Sequence, residues 1–201
     1  MTDSQKKPTS EEEYFHRREQ ELKARLKEKA EAEAQREGMA EAVGVGNEQI
    51  LDVLKDMGFD RETVRLLFLV PMLQVAWSDG ALSAGERALI LEAAGTHGIV
   101  EGHPAHRKLE GWLASRPSPQ TFERALGIIR DLMSFQPAEK RQDAARKLID
   151  ACERVAAASG GFLGLGSKTS AEEKAVLKRV AAAIEVAHAD STRRLLGDIK
   201  G

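Results

Sequence analysis

The chain has 201 residues, enough for one domain with an appendage, and a chain this long buries roughly 70% of its unfolded surface without needing a disulfide or metal. Thirty basic residues against 32 acidic ones leave a net charge of −2, which excludes a nucleic-acid binder or polybasic membrane-surface protein that works by bulk positive charge. One cysteine, Cys152, excludes an internal disulfide framework and suits a reducing compartment. No run approaches the ~18 apolar residues of a membrane-spanning helix, and no apolar signal segment follows Met1, so a cytoplasmic protein with no membrane span is expected.

The first fifth of the chain differs from the rest. Residues 1–42 hold 20 charged residues, and the remaining 159 hold 42. Thr9 or Ser10 caps a predicted helix whose first turn, Glu11-Glu12-Glu13, sits at the positive end of the helix dipole. Glu13/Arg17, Glu19/Lys23 and Glu21/Arg25 pair at i,i+4 with the acid first. Its apolar residues form one thin stripe, Phe15, Leu22 and Leu26, too short for a sustained coiled coil. The expectation is a solvated helical arm, with homodimerisation or partner binding through the stripe as the alternative. Gly38, Gly44 and Gly46 divide residues 1–46, arm and linker, from a main domain at 47–201.

Helices then follow one another. Asn47 caps Glu48–Met57, and Gly58 stops it. Asp60 opens a segment running to Trp77 that is apolar nearly all round, the mark of a central buried helix, with Pro71 predicting a kink. Ser83 opens a helix to about Ala94. Pro104, Pro119 and Pro137 each signal a first helical turn. Ser170 opens the next helix, and Asp190 caps a short last one. No alternating run with hairpin turn chemistry occurs. The fold class is therefore all-α: a compact bundle of about seven to eight helices behind a charged N-terminal helix.

One pattern occurs twice. Val75-Ala76-Trp77-Ser78-Asp79-Gly80-Ala81-Leu82-Ser83-Ala84-Gly85-Glu86 joins a buried helix to an amphipathic one. Eighty residues later Val155-Ala156-Ala157-Ala158-Ser159-Gly160 leads, after a longer loop, to Ser170-Ala171-Glu172-Glu173. Both copies start their second helix with a Ser-x-x-Glu capping box. Two helix-loop-helix hairpins of one design, packed face to face, bury the apolar faces that neither hides alone.

The string Ala76 to Glu86 resembles the signature of the TerB-like superfamily, Ala-x-x-Asp-Gly-x-(Ile/Leu)-(Ser/Thr)-x-x-Glu, over a stretch of about residues 60–188. The second copy departs from it: Ser159 replaces the Asp, and Gly161 to Gly166 are inserted. The resemblance implies a helical bundle of bacterial origin in a tellurite-resistance or other stress-response or scaffolding context, with a protein partner. It also implies an acidic metal-binding surface.

Other signals yield less. Val75–Glu86 has the second half of an EF-hand loop, but Val75 and Trp77 stand where calcium ligands belong. Gly161 to Thr169 is one residue away from a P-loop and follows a helix, not a strand. Its Phe162 and Leu163 are candidate partner contacts. His97, His103 and His106 lack the paired spacing of a zinc site, and His103 before Pro104 suits an N-cap. No nucleophile elbow or ordered triad occurs, so no catalytic residue and no organic cofactor is assigned. Two functions remain: a non-enzymatic interaction or scaffold module, or a divalent-cation binder using Asp79 and Glu86.

Overall fold

The computed structural model describes residues 10–158 and 171–198. Eight α-helices and one 3₁₀ segment make up its regular structure: α1 Ser10–Val43, α2 Glu48–Asp56, the 3₁₀ segment Val64–Leu69, α3 Val70–Ala76, α4 Ala84–Thr96, α5 Pro104–Ala114, α6 Pro119–Ser134, α7 Ala138–Ala158 and α8 Ala171–Asp198. The described residues contain no strand, and none of their helices is long and apolar enough to cross a membrane.

The helix starts follow the capping chemistry. Asn47 Oδ1 accepts from Ile50 N at 3.1 Å, and Ser118 Oγ from Thr121 N at 3.1 Å. His103 Nδ1 accepts from Ala105 N at 3.1 Å, so this ring is a cap with Pro104 filling the first helical position behind it. Ser83 and Glu86 form the full capping box at α4.

The centre is the pair formed by the 3₁₀ segment and α3. Val64, Leu66, Leu67, Leu69, Val70, Met72, Leu73, Val75 and Ala76 are all buried there. α3 packs on α6, α7 and α8, and α4 packs on α7, so the first hairpin (α3–α4) lies against the second (α7–α8). At their contact a Cβ on Gly85 would stand 3.1 Å from the Ala158 carbonyl oxygen, which shows how closely the start of α4 meets the end of α7.

Three elements differ from the sequence expectation, each for a physical reason. Pro71 does not kink a continuous α-helix. The chain upstream of Val70 is 3₁₀, and Pro71 falls in the first turn of α3, where its missing N–H removes no α-helical bond. Gly38 does not end α1, which continues to Val43 and stops at Gly44. A Cβ at position 38 would stand 2.8 Å from Arg61 Cβ, so this glycine is the notch that lets α1 approach the loop before the 3₁₀ segment. Beyond it Met39 and Val43 are 4% and 7% exposed and belong to the core. Finally, Asp190 caps no new helix, because α8 runs through it to Asp198.

Just before Gly38, Arg36 pairs with Asp52 at 2.7 Å and Gln35 Oε1 accepts the Arg61 N–H at 3.3 Å; the earlier turns of α1 are exposed. Phe15, Leu22 and Leu26 are 63%, 51% and 67% exposed, and the Phe15 ring meets that of its neighbour Tyr14 edge to face at 5.8 Å. Exposed ion pairs such as Glu19–Lys23 run along this part of the helix.

Candidate functional site: a basic-rimmed apolar groove

The two acidic residues singled out in the sequence have structural partners. Glu86 is 2% exposed; its Oε2 accepts the Ser83 backbone N–H at 2.7 Å, while Ser83 Oγ accepts Glu86 N at 3.2 Å. Burial pushes the Glu86 carboxyl above its ordinary range, with smaller upward contributions from the charges of Asp79 and Glu173, against the lowering by the Ser83 bonds. Asp79 is exposed, and its Oδ1 accepts Ala81 N at 3.1 Å, an Asx-turn that shapes the loop around Gly80. Among the described residues no group of three or more His, Cys, Asp or Glu side chains is placed to hold a metal ion. Phe162 and Leu163 lie outside the described residues.

The histidines do not converge. His103 is the α5 cap, His106 Nε2 lies 4.0 Å from Glu110, and His97 stacks on Phe68 with ring centroids 5.9 Å apart and planes 14° off parallel. Burial, and then Arg65, lower the His97 pKa, which favours the neutral ring. Cys152 is fully buried in the core, and burial pushes its thiol up to about 12, so it offers no thiolate at neutral pH.

Trp77 and Trp112 are each half-buried and joined to one another. The Trp77 indole N–H donates to the Trp112 carbonyl at 3.0 Å. Trp112 meets Phe59 edge to face, and the Lys108 amine lies over both rings while bonding the Gly58 carbonyl. This cluster ties α2, α3 and α5 together.

Among the described residues one open groove has a volume of about 630 Å³, and others of about 570 Å³ lie between α2 and α6 and between α7 and α8. The floor of the first takes Val43 from α1, Phe68 from the 3₁₀ segment, Met72 from α3, Leu89 and Ala93 from α4, Ile129, Leu132 and Met133 from α6, and Leu148 and Ala151 from α7. Its rim carries Lys140, Lys147 and Arg154 of α7, with Glu92 and His97 of α4 and its C-cap opposite. Arg154 pairs with Glu92 at 3.4 Å and Lys147 with Asp143 at 2.7 Å, all exposed, and Lys140 has no acidic partner among the described residues. The three cations recur every seven residues, so they form a line along one face of α7 about 21 Å long. No family model, curated protein or solved structure matches the chain.

A floor this apolar, edged by a line of cations on α7, offers burial to apolar groups and attraction to negative charge beside them.

The groove was not expected from the sequence, because its floor comes from six separate elements, each of which reads as an ordinary inward stripe. One signal was present: Lys140, Ala144, Lys147, Leu148, Ala151 and Arg154 place cations and apolar residues on the same side of α7, where a buried helix face would omit the charges.

Proposed function

We propose that the chain is a non-enzymatic interaction module of the TerB-like kind, a scaffold in a bacterial stress response whose working surface is the groove between α4, α6 and α7. The single observation that carries the docking role is the line of Lys140, Lys147 and Arg154 above an apolar floor. Support for the family resemblance comes from the all-α bundle and from the α3–α4 hairpin packed on α7 and α8, with its Ser83–Glu86 box. The protein partner it receives presents a helix with an apolar face and acidic flanks. Asp79 and Glu86 serve the loop and the helix cap in this reading.

The test is a titration of a fluorescent model helix, with leucines at i, i+3, i+4 and i+7 and glutamates beside them, followed by anisotropy. Wild type is expected to bind saturably, with affinity falling as salt rises, and Lys140→Glu/Lys147→Glu is expected to weaken binding by about tenfold or more, as loss of two facing charges implies. Equal binding by wild type and the charge-reversed variant, or none by either, would remove the groove as the docking surface.

A further inference from the structure

One helix that meets the groove's requirements is in this chain. From Ser10 to Leu22 the arm carries five glutamates against two arginines, and the groove's rim carries Lys140, Lys147 and Arg154 against Glu92. Of the six exposed large hydrophobic side chains among the described residues, four are on α1: Tyr14, Phe15, Leu22 and Leu26. Phe15, Leu22 and Leu26 recur at i, i+7 and i+11, one face of the helix, and Glu11 and Glu19 stand one turn either side of Phe15 on that face. The arm therefore has the apolar line, the acidic flanks and the length that the groove lacks an occupant for.

The arm cannot fill its own groove. α1 is continuous from Ser10 to Val43, and Val43 lines the groove. The 28 residues from Phe15 to Val43 span about 42 Å of rigid helix, which holds Phe15 away from the site. A second copy has no such restriction.

We infer that two copies of this chain exchange N-terminal helices, Phe15 of each arm entering the groove of the other, with Glu11 and Glu19, about 12 Å apart on the Phe15 face, meeting two neighbouring cations of the Lys140, Lys147 and Arg154 line, which are about 10.5 Å apart. The two α1 helices then run antiparallel. Phe15 of one lies beside Val43 of its partner, so the two-fold axis passes close to residue 29. The exchange is isologous and closes at two copies, satisfying both grooves at once and forming no filament. This inference rests on the reading of the groove as a docking surface and names its occupant.

The experiment is sedimentation of the full chain from low micromolar to several hundred micromolar. Wild type is expected to dimerise in a salt-sensitive way. Phe15→Asp, at a solvent-exposed position, is expected to keep the circular dichroism spectrum and to weaken the dimer by about thirtyfold or more, the size of an anchoring aromatic. Lys140→Glu/Lys147→Glu is expected to weaken it as well, and adding Glu11→Lys/Glu19→Lys is expected to restore it. Lys29→Cys is expected to give a self-crosslinked dimer under mild oxidation, since the native Cys152 is buried. A wild type that stays monomeric throughout, or a dimer indifferent to Phe15→Asp, overturns the exchange. If the model helix still binds the groove in that case, the docking surface stands and only its occupant is wrong. If the model helix fails too, both readings fall.

Discussion

Replacing Trp77 tests how the end of α3 is fastened to α5. The Trp112 carbonyl belongs to the last turn of α5, whose final four carbonyls have no partner within the helix. The Trp77 indole N–H supplies one, at 3.0 Å. In Trp77→Phe that donor is lost while most of the ring packing stays. A net hydrogen bond contributes about 0.5–1.5 kcal/mol, and a partner left unsatisfied costs about 1–3 kcal/mol; since the ring is only half-buried, water re-solvates part of the carbonyl, and the expected loss is about 1–2 kcal/mol. Trp77→Ala also removes the ring. A fully buried tryptophan would cost about 3–5 kcal/mol, and half-burial reduces this to about 2–4 kcal/mol. The assay is urea unfolding followed by circular dichroism, because tryptophan fluorescence itself changes with the substitution. The expected result is a lower midpoint with an unchanged m-value for both variants, the alanine variant lower than the phenylalanine one. Trp77→Phe within about 0.3 kcal/mol of wild type, inside the usual range of surface substitutions, would show that the indole bond does not fasten the two helices.

Three further expectations follow from burial and charge. Met39→Ala should cost about 2–5 kcal/mol in urea melts at a concentration where the chain is monomeric, whereas Leu22→Ala, on the exposed part of the same helix, should stay within about 0.5 kcal/mol; equal effects would refute the division of α1 into a core end and a free end. Glu86→Ala should lose about 0.5–2 kcal/mol of cap energy, while Glu86→Gln keeps an acceptor for Ser83 N–H and loses the charge that burial disfavours. Because the folded pKa of Glu86 is raised above its ordinary value of 4.5, its favourable contribution is complete below that value and is lost as pH rises through the folded pKa. Glu86→Gln should therefore be at least as stable as wild type at pH 7, and the difference should shrink on acidification toward pH 4; a Gln variant that is less stable at pH 7 would contradict this sign. Calcium at 10 mM should leave the melting curve unchanged, since Asp79 and Glu86 are engaged in the Asx-turn and the capping box; a stabilisation of about 1.4–2.7 kcal/mol, the size given by a poorly furnished calcium site, would revive cation binding.

The local order of this chain was legible because four of its helices begin with side chains that have one purpose. Asn47, Ser83, His103 and Ser118 each bond the backbone amide that their position demands. Features decided by tertiary approach were not legible. Pro71 reads as a helix kink until the preceding turn is known to be 3₁₀, and Gly38 reads as a boundary until Arg61 is seen against it. The burial of Glu86 follows from where α7 and α8 pack, information no capping motif contains. The groove is the extreme case, since six elements converge to make its floor. Only the heptad of cations on α7 could have announced it, and a sequence net charge of −2 conceals so local a positive line.

Methionine methyl resonances offer the most direct measurement of the docking surface. Met72 and Met133 line the groove, whereas Met39 is buried at the core end of α1 and Met57 follows α2, both outside the groove lining. In a chain labelled at its methionine methyls, adding the acid-flanked model helix to Phe15→Asp, whose grooves are left open, should shift Met72 and Met133 progressively and leave Met39 and Met57 in place. Shifts confined to Met39 or Met57, or a saturating interaction that moves neither groove methyl, would contradict the assignment of this groove as the working surface of the protein.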